Sequence, residues 1–248
     1  MKFNFYPVFL REMMIFANRL KKPGYIVATI MTPLIYLVTF GLGLGRRVEV
    51  DGSSYLLFLV PGICAMSAMT NSFSGIATSL AVGRLHFKSI EEILVSPVPY
   101  SAVALGEIAG GTVRGLFSSV FILLAALLMG SQLPVSPLFY ISWLITAIMF
   151  AALGVVAGFK ARSHEDTSVF SNFIIVPMSF FCGTFFPIDN VPDVIGVFLQ
   201  SLPLTHSVIC MRAGFEQQPV AIGHLLALAG FCLISILWAV VSIRQSLK

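Results

Sequence analysis

Tyr55 to Val82 reads YLLFLVPGICAMSAMTNSFSGIATSLAV and contains no Asp, Glu, Lys or Arg. A helix needs about 20 predominantly apolar residues to cross a bilayer, and this run exceeds that length. Five more runs of the same kind flank it: Tyr25–Leu44 before it, then Ser101–Met129, Leu138–Phe159, Ser168–Phe186 and Ile222–Ile243. The whole chain agrees with this reading. Its 248 residues are 57% hydrophobic and only 10% charged, with a mean hydropathy of +0.94. Soluble domains carry about 25% charged residues, so a water-soluble enzyme and a disordered chain are both excluded. The expected fold class is an all-α integral membrane protein with six transmembrane helices in a single domain, residues 1–248. Pro33, Pro61 and Pro177 fall inside these runs, where membrane helices tolerate them and kink.

Residues 1–22 have no apolar core or cleavage site of the signal-peptide kind. They predict an amphipathic helix at the membrane interface. Phe5, Phe9, Met13, Phe16 and Leu20 form its apolar arc, and Arg11, Asn18, Lys21 and Lys22 face lipid headgroups. Residues 187–219, between the fifth and sixth spans, hold two helices too short to cross. The first is flanked by Pro192 and Pro203, with Asp189 and Asn190 as capping candidates, and the second covers Ser207–Phe215. They predict a re-entrant helical hairpin on the extracytoplasmic side.

With six spans both termini share one side. That side holds eleven basic residues, Lys2, Arg11, Arg19, Lys21, Lys22, Arg84, Lys88, Lys160, Arg162, Arg244 and Lys248, against Arg46, Arg47 and Arg212 on the other. The positive-inside rule puts both termini in the cytoplasm. The net charge of +4 is too scattered to make a nucleic-acid surface.

Enzyme motifs are missing from the sequence. It has no G-x-x-x-x-G-K-[ST] phosphate loop, and His164-Glu165 has no second histidine one turn on. Ser74-Gly75 lacks the glycine that an intramembrane serine protease would place at Ser72. His86, His164, His206 and His224 are dispersed in or near connectors, and no metal site is expected. Cys64, Cys182, Cys210 and Cys232 read as buried apolar residues. Two ionisable groups lie in the third span. Glu107 is near the cytoplasmic mouth, where water can reach it, and Arg114 is deeper and must find a partner. At 1.5 Å per residue they are about 10 Å apart, too far for a direct pair. They serve either as a gate or substrate contact, the basis of an ion-coupled carrier, or as packing and orientation groups. Gly106, Gly110, Gly111 and Gly115 on the same span permit close helix approach.

Residues Gly83–Pro99, GRLHFKSIEEILVSPVP, form a cytoplasmic connector. Ile90, Ile93 and Leu94 make an apolar strip beside Glu91 and Glu92, and Pro97 and Pro99 stop the helix. Glu91, Ile93, Leu94, Ser96 and Pro97 resemble the pattern of the ABC type-2 export permeases, though Ser89 stands where many members have Gly-Thr. Leu59-Val60-Pro61-Gly62-Ile63, Thr70-Asn71-Ser72, Phe186-Pro187-Ile188 and Leu202-Pro203-Leu204-Thr205-His206 are similar to that family too, most of all to its nodulation-factor and drug-export branch.

The resemblance implies a transport subunit without its own ATPase. Two copies, or one copy and a closely related permease, would form the pathway within membrane lipids. Separate ABC ATPase subunits would hold ATP and Mg and dock on a coupling helix through Glu91, Glu92, Ile93 and Leu94. It further implies that the first, second and fifth spans line the path. Phe170, Phe173, Phe180 and Phe181 are then candidate contacts for an amphipathic, lipid-like, glycan or drug-like substrate, or else ordinary lipid-facing aromatics.

Overall fold

Helix α3 (Tyr55–Leu85) is the element around which the others pack. Of its most apolar window 78% is buried, against 17% for α2 (Pro23–Gly43). The computed structural model describes residues 5–43, 49–50, 53–88, 90, 98–188 and 192–246. Within these, α1 (Tyr6–Leu20) precedes α2, and a two-strand hairpin, β1 (Glu49–Val50) with β2 (Ser53–Ser54), leads into α3. Helices α4 (Tyr100–Leu128), α5 (Pro137–Lys160) and α10 (Ile222–Gln245) complete the long elements.

Small residues set the helix directions. Ser67 meets Ser118, and a Cβ on Gly115 or Gly111 would strike Ser72 or Ile76, so α4 runs antiparallel to α3. Phe73 backs onto Gly154 and Leu80 onto Gly158, so α5 runs parallel to α3. Leu228 of α10 joins the core with Tyr55, Phe58 and Phe139, while Ala239 and Ile243 join a second core with Leu80, Val103 and Phe159. Helix α10 therefore also runs parallel to α3. Arg84 closes the far end: its Nη1 donates to the carbonyls of Gly158 (3.1 Å) and Phe159, capping α5.

Between Lys160 and α10 the chain must return to the Tyr55 end. It does so through α6 (His164–Phe170), a π turn (Ser171–Ile175) and α7 (Val176–Phe181). The return ends where Tyr55 Oη donates to the Phe185 carbonyl at 2.7 Å and Gly62 packs on the Thr184 backbone. The expected fifth span, 168–186, is thus a composite of 7, 5 and 6 residues rather than one helix. The other five long helices are each long and apolar enough to cross a membrane.

Two local causes shape the composite. Pro177 has no N–H to give the Phe173 carbonyl, and the preceding turn widens so that Val176 N–H reaches Ser171, five residues back. The start moves forward to His164 because Ser163 caps it: Asp166 N–H donates to Ser163 Oγ at 3.3 Å, and Arg162 N–H donates to Asp166 Oδ2 at 2.8 Å.

After this return, α8 (Asp193–Gln200) and α9 (Pro203–Glu216) form a hairpin bent by 83° that stays at the Tyr55 end. Asp189 and Asn190 lie outside the described residues, and Pro192 stands at the cap position of α8 without a side-chain cap bond. Arg212 anchors α9. Its guanidinium lies 3.6 Å over the Phe58 ring and donates to the carbonyls of Phe58 (3.2 Å) and Gly183 (2.8 Å).

The N-terminal helix departs from its expected face. Val8, Glu12 and Phe16 are buried, whereas Phe5 is 41% exposed. A Cβ on Gly106 would fall 2.6 Å from Val8, and one on Gly110 would fall 2.8 Å from Glu12. The Phe16 and Phe117 ring centroids are 5.4 Å apart. Helix α1 thus runs along the first half of α4, in the same direction. The two α4 glycines select the 8-12-16 stripe because only there can the backbones close up.

Gly154→Ala puts a methyl against the Phe73 backbone, 2.6 Å from its carbonyl oxygen, while Gly230 has open space around it. We expect Gly154→Ala to cost about 1–3 kcal/mol and Gly230→Ala to be neutral or stabilising by up to about 1 kcal/mol. Thermal unfolding of both variants in detergent checks this.

Candidate functional site

Where α1, α3 and α4 meet, four ionisable side chains pack together. Arg114 Nη2 donates to Glu12 Oε2 at 2.6 Å, and its Nη1 donates to the Gly75 carbonyl at 2.5 Å. Ser79 Oγ donates to the same carboxylate at 3.2 Å. Arg11 Nη1 bridges Glu12 Oε1 (3.2 Å) and Glu107 Oε1 (3.4 Å). The side chains of Glu12 and Glu107 are fully buried, that of Arg114 is 1% exposed and that of Arg11 26% exposed. Arg114 and Glu12 form a close buried pair, which is how ionic groups are kept in an apolar bundle. Phe16 closes the cluster, its ring centroid 5.7 Å from the Arg114 guanidinium carbon.

The cluster answers what the sequence left open for Arg114: its partner is Glu12 from α1, not Glu107. The expectation that Glu107 stays hydrated is corrected, because α1 covers the mouth and leaves its carboxylate no exposure. One oxygen, Glu107 Oε2, is buried without a hydrogen bond. Glu12 was not singled out from the sequence. Its signal was a lone acid four residues from both Val8 and Phe16, opposite Gly106 and Gly110.

A second feature is a groove of about 190 Å³ between α2, α3 and α7. It is lined by Thr29, Thr32, Ser67, Thr70, Asn71 and Ser179, with Tyr36 and Phe180 among its apolar walls and no charged residue. Four of these side chains donate within their own helices, Thr29 to the Tyr25 carbonyl (2.8 Å), Thr70 to Met66 (2.8 Å), Asn71 to Ser67 (3.0 Å) and Ser179 to Val176 (2.6 Å). Their side-chain oxygens keep acceptor capacity.

Of the four phenylalanines singled out in the sequence, Phe180 and Phe181 line one apolar cleft with Phe40 and Phe185, and Phe181 shares a second with Phe173. Phe180 joins Tyr36 (centroids 5.7 Å) and Phe185 (5.4 Å) beside the groove. Phe173, 76% exposed, and Phe181 line an apolar surface cleft with Ile195 and Phe198 of α8. Phe170 packs on the core. Glu91, Glu92, Ile93 and Leu94 lie outside the described residues; Ile90, next to them, is fully buried in the core at the Leu85 end. The histidines are less scattered than their spacing implied, for His206 and His224 meet with Nδ1 atoms 2.9 Å apart. No group of three or more His, Cys, Asp or Glu among the described residues could hold a metal ion.

Residues 8–215 match the sequence model of the ABC-2 type transporter membrane family. The inner membrane transport permease YadH of Escherichia coli (strain K12) is 30% identical over 193 residues, 77% of this chain and 73% of that protein. Nodulation protein J of Rhizobium meliloti (strain 1021) is 32% identical over 227 residues, 90% of this chain and 86% of that protein. Its counterpart in Rhizobium leguminosarum bv. trifolii is 33% identical over 196 residues, 77% of this chain and 72% of that protein.

Removing one partner of the buried pair leaves the other charge unpaired. Glu12→Leu is expected to cost about 3–5 kcal/mol, and Glu12→Leu combined with Arg114→Met much less than the sum of those two single changes. A double-mutant cycle by thermal unfolding checks it; additive losses would mean that the two residues do not act as a pair.

Proposed function

The chain belongs to the ABC-2 type transporter family, and on that premise we propose that it is the membrane-spanning subunit of an ATP-binding-cassette exporter, working as a dimer with separate ATPase subunits. One observation carries this reading: the family match runs through most of the chain, and the sequence has no phosphate loop of its own. ATP and Mg then belong to the partner, and this subunit supplies the path.

Helix α2 defines the hydrocarbon slab. Its 21 residues are about 31 Å long, close to the thickness of a bilayer core. Gly41 of α2 lies against Leu56 and Met129, and Tyr25 lies against Phe16. The slab then extends from the start of α3 to the level of the charge cluster. The last turns of α3 and the first turns of α4 project beyond it toward the ATPase. With the composite α6–α7 as a crossing the count is six, which supports both termini in the cytoplasm of an inner-membrane protein. The α8–α9 hairpin then dips into the outer leaflet.

Within this frame the connector holding Glu91, Glu92, Ile93 and Leu94 is the coupling element. Ile90 secures one end of it in the core, so a push on the connector reaches α3 and α4 directly. The groove between α2, α3 and α7 is the proposed path. Its uncharged hydroxyl and amide lining beside Tyr36 and Phe180 suits an amphipathic cargo, lipid-like, glycan or drug-like, moved outward. Glu107 and Arg114, which an ion-coupled carrier would use, are engaged in a closed cluster with α1.

Glu91→Arg combined with Glu92→Arg should reduce ATP-driven transport to background while the protein remains in the membrane. The readout is cargo export against the membrane level of the subunit. Unchanged export would overturn the docking assignment.

A further inference from the structure

At the Tyr55 end of the bundle, His206 of α9 and His224 of α10 face each other with Nδ1 atoms 2.9 Å apart. In the metal-free protein this is a hydrogen bond, with one imidazole donating and the other accepting. The separation has a second meaning. Two imidazole nitrogens bound to one ion at about 2.0–2.1 Å lie about 2.9 Å apart when the angle between them is a right angle, and about 3.3 Å apart when it is tetrahedral. The right angle belongs to tetragonal ions such as Cu(II) and Ni(II).

The surroundings fit such an ion. The His206 ring stacks on Phe231, with centroids 6.0 Å apart and planes at 28°. That stacking holds the His206 ring in place beside His224. His224 lines a cleft of about 500 Å³ together with Gln200, Glu216 and Gln218. That cleft gives an entry path and room for water on the remaining coordination positions. With no third His, Cys, Asp or Glu in reach among the described residues, the site is open and exchangeable rather than a closed structural one.

We propose that His206 and His224 form a two-histidine site for a divalent transition-metal ion of the tetragonal class, Cu(II) foremost, which clasps the α8–α9 hairpin to α10. When the ion enters, a proton held on either Nδ1 moves to Nε2 or to water, and both Nδ1 lone pairs meet the metal. No oxidation or reduction is involved.

The test uses the full-length protein, untagged, stripped with chelator and reconstituted in nanodiscs. Cu(II) is added to one equivalent, loose metal is removed by desalting, and the electron paramagnetic resonance spectrum is recorded. The expected result is about one copper per chain with a tetragonal spectrum carrying nitrogen coupling. Both the coupling and the retained copper should be lost in His206→Ala and in His224→Ala, and kept in Cys232→Ser. His206→Gln and His224→Gln serve where the alanine variants unfold. No retained copper in the unaltered protein would overturn the proposal, and so would an unchanged spectrum in folded variants of both histidines.

Discussion

A charge inside a membrane bundle has to be matched, and in this protein the match comes from a different helix. Arg114 sits on α4, and the carboxylate that neutralises it, Glu12, sits on α1, 2.6 Å away. That pair makes the N-terminal helix part of the core instead of an appendage. It also joins α3, through Gly75 and Ser79, to the same point. Leaving either charge alone there would cost several kcal/mol, so α1, α3 and α4 are bound to keep one arrangement or to change it together.

Packing serves the same end by a different route. Helix α4 has two glycine faces: Gly106 and Gly110 admit α1, and Gly111 and Gly115 admit α3. With no hydrophobic drive between helices in lipid, close approach of backbones through small residues is what holds them. Ser67, Ser118 and Ser119 hydrogen-bond in the layer between the two cores, where an apolar side chain would hold the helices further apart. The α2–α3–α7 groove, by contrast, lies on the less buried side of the bundle, against the peripheral α2. The more buried side thus carries the charge joint, and the less buried side carries the polar lining proposed for cargo.

Much of this was legible in the residues. Long apolar runs give the crossing elements because the bilayer leaves few alternatives. The Gly-x-x-x-Gly spacing on α4 announced close neighbours, though not which ones. What stayed hidden depended on pairing across the chain. The 5-9-13-16-20 arc of α1 is the more apolar stripe, yet the buried stripe is 8-12-16, because α4 offers Gly106, Gly110 and Arg114 in that register. Pro177 forewarned of a kink, while the π turn it induces was visible only from the Val176–Ser171 bond. His206 and His224 are separated by a helix end and a loop, and nothing in their spacing brings them together.

The central claim is that this chain is a path without an engine, moved by an ATPase that binds its cytoplasmic face. The most direct measurement is to solubilise it gently from its native membrane and to identify and count what remains bound. The account predicts a stoichiometric partner carrying a G-x-x-x-x-G-K-[ST] loop, released when the 83–99 connector is disrupted. A chain that purifies alone, with transport that survives ATP depletion and fails when the proton gradient is collapsed, would contradict it.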